Sequence, residues 1–318
     1  MLTPWDALRE DYSRDRLLKR PSGLLFFKER GIEMRKFFAV IMILVLSLAF
    51  VSCGAGEVEK ETGEMPVLTN MASDETLSEV TEALKEAGVS GADTFSGLVK
   101  EFNTACEGKG LEGGWIDPSK SEVDTFGLMD AWESGHDTMD ANCRLTVFTL
   151  LGDQIGTGEP EAYKGDYLMF DIDTIDNSDA FSHIKDQKDK FETVYGEFDT
   201  SDYKGHEETA FPEIMKERGV VFPEGKASIL SLVTFDEMTG VAFVGHTGVL
   251  LDEGDHILYV EKVAFEQQYN AIKASSLEDI VNILKERPEY YGDGTEPGPF
   301  VYRNAELVCD LHGEGPEM

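Results

Sequence analysis

Basic residues are scarce in this chain: 28 lysines and arginines face 62 aspartates and glutamates over 318 residues, a formal net charge of −34 at pH 7. The shortage is concentrated from Cys53 onward, where 19 basic residues stand against 56 acidic ones. Such a surface repels nucleic-acid phosphates and anionic lipid headgroups, so it excludes nucleic acid as a partner and excludes charge-driven adsorption to a membrane. Cationic ligands are compatible with it, and so is an acidic surface that serves solubility alone. Other absences narrow the field further. There is no internal repeat and no glycine-rich phosphate loop of standard spacing. No Cys-x-x-Cys or His-x-x-x-His pair occurs, so neither a metal site nor a cofactor is implied.

What is present begins with an address. Met34-Arg35-Lys36 is a short basic segment, and residues 37–50 form an apolar run broken only by Ser47. Fourteen residues fall short of the roughly twenty needed to span a bilayer but suit the apolar region of a signal peptide. Val51-Ser52-Cys53-Gly54 follows and resembles the lipobox of bacterial lipoproteins, with Phe50 where that motif usually has leucine. The resemblance implies lipid attachment at Cys53, an extracytoplasmic location and membrane contact through that anchor only. Residues 1–33 precede the signal and are expected to lie outside the folded domain, either as an extension from a misassigned start codon or as a long cytoplasmic lead. Residues 54–68 read as an acidic tether, and residues 69–318 as one domain.

Export reframes the cysteines. With Cys53 assigned to lipid, Cys106, Cys143 and Cys309 remain, an odd number that implies a free thiol, with or without a Cys106 to Cys309 disulfide. Cys106 continues the apolar stripe Phe95, Leu98, Val99, Phe102 and reads as core. Cys143 is different. Asn142 is a good N-cap, so Cys143 is expected at the first position of the apolar helix that follows, where free N–H groups and the helix dipole favour a thiolate. The competing reading is an inert buried cysteine.

The domain is expected to be α+β. Helices are predicted from about Asp74, from Asp93 to Cys106, from Ser121 to Trp132 with Phe126, Met129 and Trp132 as core, and from Cys143 to Ile155. Residues 167–175 read as a strand and 178–194 as one helix. Residues 195–219 carry no readable function beyond a short helix near Arg218. Three runs at 227–235, 240–251 and 256–264 read as an antiparallel meander, followed by a helix at 277–285 and a last strand at 300–308.

The turn at Asp252-Glu253-Gly254-Asp255 closes either as a two-residue hairpin or as a four-residue loop between Leu251 and His256. Both put His246 directly opposite Glu261, on a face shared with Val244, Gly248 and Leu250. A carboxylate on an apolar face needs a partner, and His246 supplies it. The pair is either structural or catalytic. A nucleophile at a helix start, a base on one strand and an orienting group on the next form a cysteine triad, with Cys143, His246 and Glu261 in those roles.

At these residues the chain resembles the papain-like cysteine hydrolases of the NlpC/P60 and CHAP kind, in which a helix-start cysteine packs on a small antiparallel sheet with histidine and a polar third residue on adjacent strands. Asn142-Cys143-Arg144, Gly245-His246-Thr247-Gly248-Val249-Leu250-Leu251 and Glu261-Lys262-Val263-Ala264-Phe265 are also similar to a family of secreted bacterial lipoproteins of unknown function, over about residue 70 to the C-terminus. The chain departs from NlpC/P60 domains at Asn142 and Arg144, which replace aspartate and serine, and its Gly165-Asp166 segment comes about eighty residues earlier than their counterpart. The resemblance implies a papain-like fold with N-terminal helices on a small antiparallel sheet. It also implies amide-bond hydrolysis, with a peptide or cell-wall fragment as substrate. A non-catalytic binding lipoprotein is the rival. The Cys143 N–H would supply one oxyanion donor, with Asn142 and His136 as candidates for the second.

Overall fold

A strand buried on both faces reads as a continuous apolar run, and Ala-Ser-Ile-Leu-Ser-Leu-Val-Thr-Phe is such a run. In the computed structural model, which describes residues 65–159, 165–287, 290 and 297–312, this segment is an interior strand of an eight-stranded antiparallel sheet. The strands are β1 (Val67–Thr69), β2 (Phe198–Asp199), β3 (Ala227–Asp236), β4 (Val241–Asp252), β5 (Ile257–Lys262), β6 (Tyr269–Ala274), β7 (Phe300–Arg303) and β8 (Glu306–Asp310). They run in the order β1-β6-β5-β4-β3-β7-β8, and β2 pairs with β4 off that path.

Nine α-helices occur among the described residues. They are α1 (Asp74–Glu86), α2 (Ala92–Ala105), α3 (Thr125–Gly135), α4 (Cys143–Leu151), α5 (Met169–Asn177), α6 (Ser182–Lys185), α7 (Lys188–Tyr195), α8 (Ala210–Glu217) and α9 (Leu277–Lys285). None of the described helices is long and apolar enough to cross a membrane. Side chains from α1 to α8 join Ile229, Val233, Val249 and Val260 in one core. Helix α9 covers the other face, where Ile280, Val281 and Leu284 meet Leu230, Leu232, Leu250 and Tyr259. The domain is thus α+β, with its sheet held between unequal helical layers.

Several expectations need correction. Residues 167–175 were expected to form a strand, but α5 is a helix: its buried set is Asp171, Thr174 and Ile175 beside Leu168, spaced as one helical face. The single helix expected over 178–194 is broken into a 3-10 turn, α6 and α7. Phe126 is exposed, and Leu128 fills the core position instead. The last strand is a hairpin, because Asn304 adopts φ of 55° and turns β7 into β8. Strand β6 was not foreseen, since its buried Asn270 and its Lys273 disguise it. The expected tether surrenders its end to the sheet, where Val67 and Leu68 pair with Lys273 and Ile272. The signal segment, Cys53 and the rest of the tether lie outside the described residues. Cys106 and Cys309 are both free, buried in the two different cores.

The β4–β5 register also differs. Asp252 pairs with Ile257 and Gly248 with Glu261, two residues from the expected pairing. The loop still has an even length, and the side-chain period of a strand is two, so His246 and Glu261 keep a common face as diagonal neighbours. A bulge at Gly245, between the Leu232–His246 and Val233–Val244 pairs, moves Val244 to the opposite core. Gly248 leaves room for the Tyr259 ring, since a Cβ there would lie 2.4 Å from it. Gly248→Ala is expected to displace Tyr259 and cost about 1–3 kcal/mol of unfolding free energy, measurable by denaturant titration.

Candidate active site

Helix α4 starts where its sequence says it should. Asn142 is extended, and its Oδ1 accepts from the Leu145 N–H at 2.9 Å. The first intrahelical bond runs from the Thr146 N–H to the Asn142 carbonyl, so the N–H groups of Cys143 and Arg144 precede the ladder. The Asn142 amide also donates to Asp171 of α5 at 2.7 Å. Arg144 grips the same buried carboxylate with two bonds, at 3.0 and 2.7 Å. Its remaining arm donates to the Val244 carbonyl at 2.8 Å. That carbonyl lies beyond the point where β5 stops pairing with β4. The end of α4 is therefore docked on the splayed edge of β4, beside the bulge that precedes His246.

His246, 1% exposed, places Nε2 2.7 Å from Glu261 Oε2, with the Tyr259 hydroxyl 3.3 Å away. Its imidazole also lies close enough to Cys143 for its hydrogen-bonding capacity and charge to act on the thiol. With Nε2 held by Glu261, the nitrogen left for the thiol is Nδ1. Cys143, His246 and Glu261 are thus brought together in the chain order expected from the sequence.

Glu261 has no solvent exposure, and its charge is matched from several sides. Arg287, just beyond α9, makes bonds of 2.6 and 3.0 Å to its two oxygens. Asn270 of β6 donates to it at 2.8 Å. Asn70 holds Asn270 in turn, at 2.9 Å. Tyr290 accepts from Arg287 at 3.0 Å and stacks on the His246 ring at 4.8 Å between centroids. A second buried pair braces the same strand: Lys262, next to Glu261, meets Asp140, three residues before Cys143. The Lys262 ammonium lies 3.4 Å from the Phe102 ring centre and 4.1 Å from that of Tyr269. Asp140 also accepts from the Glu266 N–H at 2.5 Å.

These contacts set the protonation states. Burial opposes charge on Cys143, but the hydrogen bond and charge of His246, aided by Arg144, hold the thiol below its ordinary range. Burial likewise disfavours a charged His246, yet the bonds to Cys143 and Glu261 raise it to about 9. Glu261 would be pushed up by burial, but the charge of Arg287 and the bond from His246 hold it well below the usual carboxylate range. Both shifts, downward at Cys143 and upward at His246, favour the thiolate–imidazolium form of the pair. Cys106, by contrast, is pushed up to about 11 by burial, and burial also raises Cys309.

The two candidates for a second oxyanion donor are placed elsewhere or already engaged. Both ends of the Asn142 amide are used, on Leu145 and Asp171. His136 stacks on Trp132 at 3.6 Å between ring centres and faces Glu101, outside the triad. Sequence reasoning missed Asp171, Asn270 and Arg287. Asp171 and Asn270 carried a usable signal, as polar residues inside apolar stretches that burial requires to be paired. Arg287 carried none, because only the packing of α9 brings it to Glu261.

The molecule is an α+β protein with a buried Cys-His-Glu cluster at the junction of a helix start and an antiparallel sheet. A domain of unknown function, DUF4300, spans residues 67–308, and the chain belongs to the family it defines. No curated protein and no solved structure matches the chain.

The two shifts set a pH window. A carboxylate held below its ordinary 4.5 adds stability above that pH and loses it as pH falls. An imidazole raised from 6.5 to about 9 adds its full share below 6.5 and loses it as pH climbs through 9. The melting temperature is expected to be highest between these limits, and His246→Ala to flatten its alkaline decline in a pH series of thermal melts.

Proposed function

We propose that this protein is an exported, membrane-tethered cysteine hydrolase of papain-like design that cleaves amide bonds, with cell-wall peptides as the substrate class. The observation that carries this reading is the buried His246 imidazole, held at 2.7 Å by the Glu261 carboxylate and acting on the thiol of Cys143 at the start of α4. The cysteine at the start of α4, the histidine on β4 and the glutamate on β5 support the papain-like design. The signal-like residues 34–52 and Cys53 support the tether.

In this reading the Cys143 thiolate attacks the scissile carbonyl, and the electron pair of the C=O bond moves to oxygen. The Cys143 N–H, free of the helix ladder, stabilises that oxyanion. Imidazolium His246 then gives its proton to the leaving nitrogen as the C–N bond breaks, and a thioester remains. Neutral His246 next takes a proton from water, whose oxygen attacks the thioester; the acid product leaves and the thiolate–imidazolium pair is restored. Glu261 fixes the imidazole tautomer throughout, and Arg287 with Asn270 fixes Glu261.

Burial favours a second reading, a binding lipoprotein on the same scaffold: Cys143 is only 5% exposed and Tyr290 stacks on His246. Reactivity separates the two. Under the hydrolase reading, iodoacetamide at pH 6 alkylates Cys143 at least about tenfold faster than a model thiol, in line with a depressed thiol pKa, and His246→Ala removes the advantage. Peptide mass spectrometry reads the site directly, because Cys106 and Cys309 are held as thiols. Alkylation no faster than the model thiol would rule out catalysis. The tether predicts a diacylglycerol mass increment on Cys53 of protein extracted from membranes, and its absence there would remove the anchor from the proposal.

A further inference from the structure

The second buried pair, Lys262 with Asp140, takes no part in the triad, and its surroundings suit two ions poorly. Lys262 closes β5 and Asp140 lies just before α4; both are buried. Nζ of Lys262 is in contact with Oδ2 of Asp140, and neither atom makes a hydrogen bond to any third group among the described residues. An ammonium has three N–H donors to satisfy. Around this one stand a single carboxylate oxygen and the rings of Phe102 and Tyr269, whose centres lie 3.4 and 4.1 Å from Nζ. The rings attract a cation but also shut out water, and a buried ion pair recovers its lost hydration only when its remaining donors are met. Burial accordingly pushes Lys262 down and Asp140 up, each against the pull of the other. Both shifts favour an amine beside a carboxylic acid, the two forms that condense.

The other carboxyl oxygen is placed for that condensation. Oδ1 of Asp140 accepts from the backbone N–H of Glu266 at 2.5 Å, so a fixed donor already faces the oxygen on which negative charge develops when the carboxyl carbon is attacked. An amide at this position replaces two buried charges with one neutral group, and its carbonyl oxygen keeps the Glu266 donor.

We propose that Lys262 and Asp140 become joined by an intramolecular amide bond, formed in the folded chain between Nζ and Cγ with loss of one water. The Nζ lone pair attacks Cγ of the carboxylic acid, and the C=O pair moves to Oδ1, where the Glu266 N–H holds it. As that pair returns, the Cγ–Oδ2 bond breaks, and Oδ2 leaves as water with its own hydrogen and one proton from Nζ. No co-reactant enters. The fold supplies contact in place of concentration and excludes the water that the reverse reaction consumes. The bond fastens the segment leading into Cys143 to the strand that carries Glu261, in a domain whose Cys106 and Cys309 are both free. It goes beyond the hydrolase reading and does not depend on it.

Peptide mass spectrometry of the folded, full-length protein tests the bond. After denaturation and tryptic digestion, wild type is expected to give mainly one branched peptide carrying both Asp140 and Lys262. That peptide is lighter by one water than its two linear arms, and it is uncut after Lys262, because the amide removes the positive charge that trypsin reads. Lys262→Met is expected to return the linear Asp140 peptide at full mass. Folded wild-type protein that yields mainly linear Asp140 and Lys262 peptides, with cleavage after Lys262, overturns the inference. So does a branch from Lys262 to any residue other than Asp140. The deciding result comes from wild type, so the test holds even where Lys262→Met does not fold. Neither result depends on the reactivity of Cys143, which is read separately by alkylation.

Discussion

A carboxylate with no access to water must be neutralised where it stands, and the domain is arranged around that requirement at Glu261. An isolated buried charge is costly enough that the group would otherwise take up a proton. Glu261 stays ionised because Arg287, His246 and Asn270 approach it from α9, β4 and β6. Three separate elements are thereby tied to one strand. The imidazole that results is oriented by Glu261, and Cys143 and Glu261 together favour its charged form.

The same economy recurs at each end of the cluster. Arg144 and Asn142 share Asp171, which locks the start of α4 to α5, and Arg144 reaches the open edge of β4. Lys262 and Asp140 pin the segment before Cys143 to β5 inside an aromatic cage. In a chain so poor in basic residues, Arg144, Lys262 and Arg287 are spent inside, each on a carboxylate of the site or its supports. Exposed acids fill the surface, while the scarce cations hold the interior polar network together.

Membership of the DUF4300 family brings a shared domain of unknown function, so the functional argument rests on geometry. In that geometry imidazole and carboxylate are bonded to each other beside the helix start, and the supports of each are bonded in turn. Arg144 directly after the cysteine, which sets the chain apart from NlpC/P60 domains, has a physical account here as the clamp between α4, α5 and β4.

Local sequence determined whatever depended on short-range physics. The cap at Asn142 was legible because a side-chain acceptor, a free N–H and an apolar run lie within four residues. The common face of His246 and Glu261 was legible because strand alternation survives any even shift, although the exact pairing was not. Tertiary structure decided what depended on distant partners. The bulge at Gly245 reassigned Val244 to the other core. Helix α5 formed in place of a strand because Asp171 is buried against Arg144. Arg287 and Asn270 reached Glu261 only once α9 and β6 had packed. The reason is one of range: hydrophobic period and capping are encoded within a turn or two of chain, whereas compensation of a buried charge is supplied by whichever residue the fold delivers, at any separation.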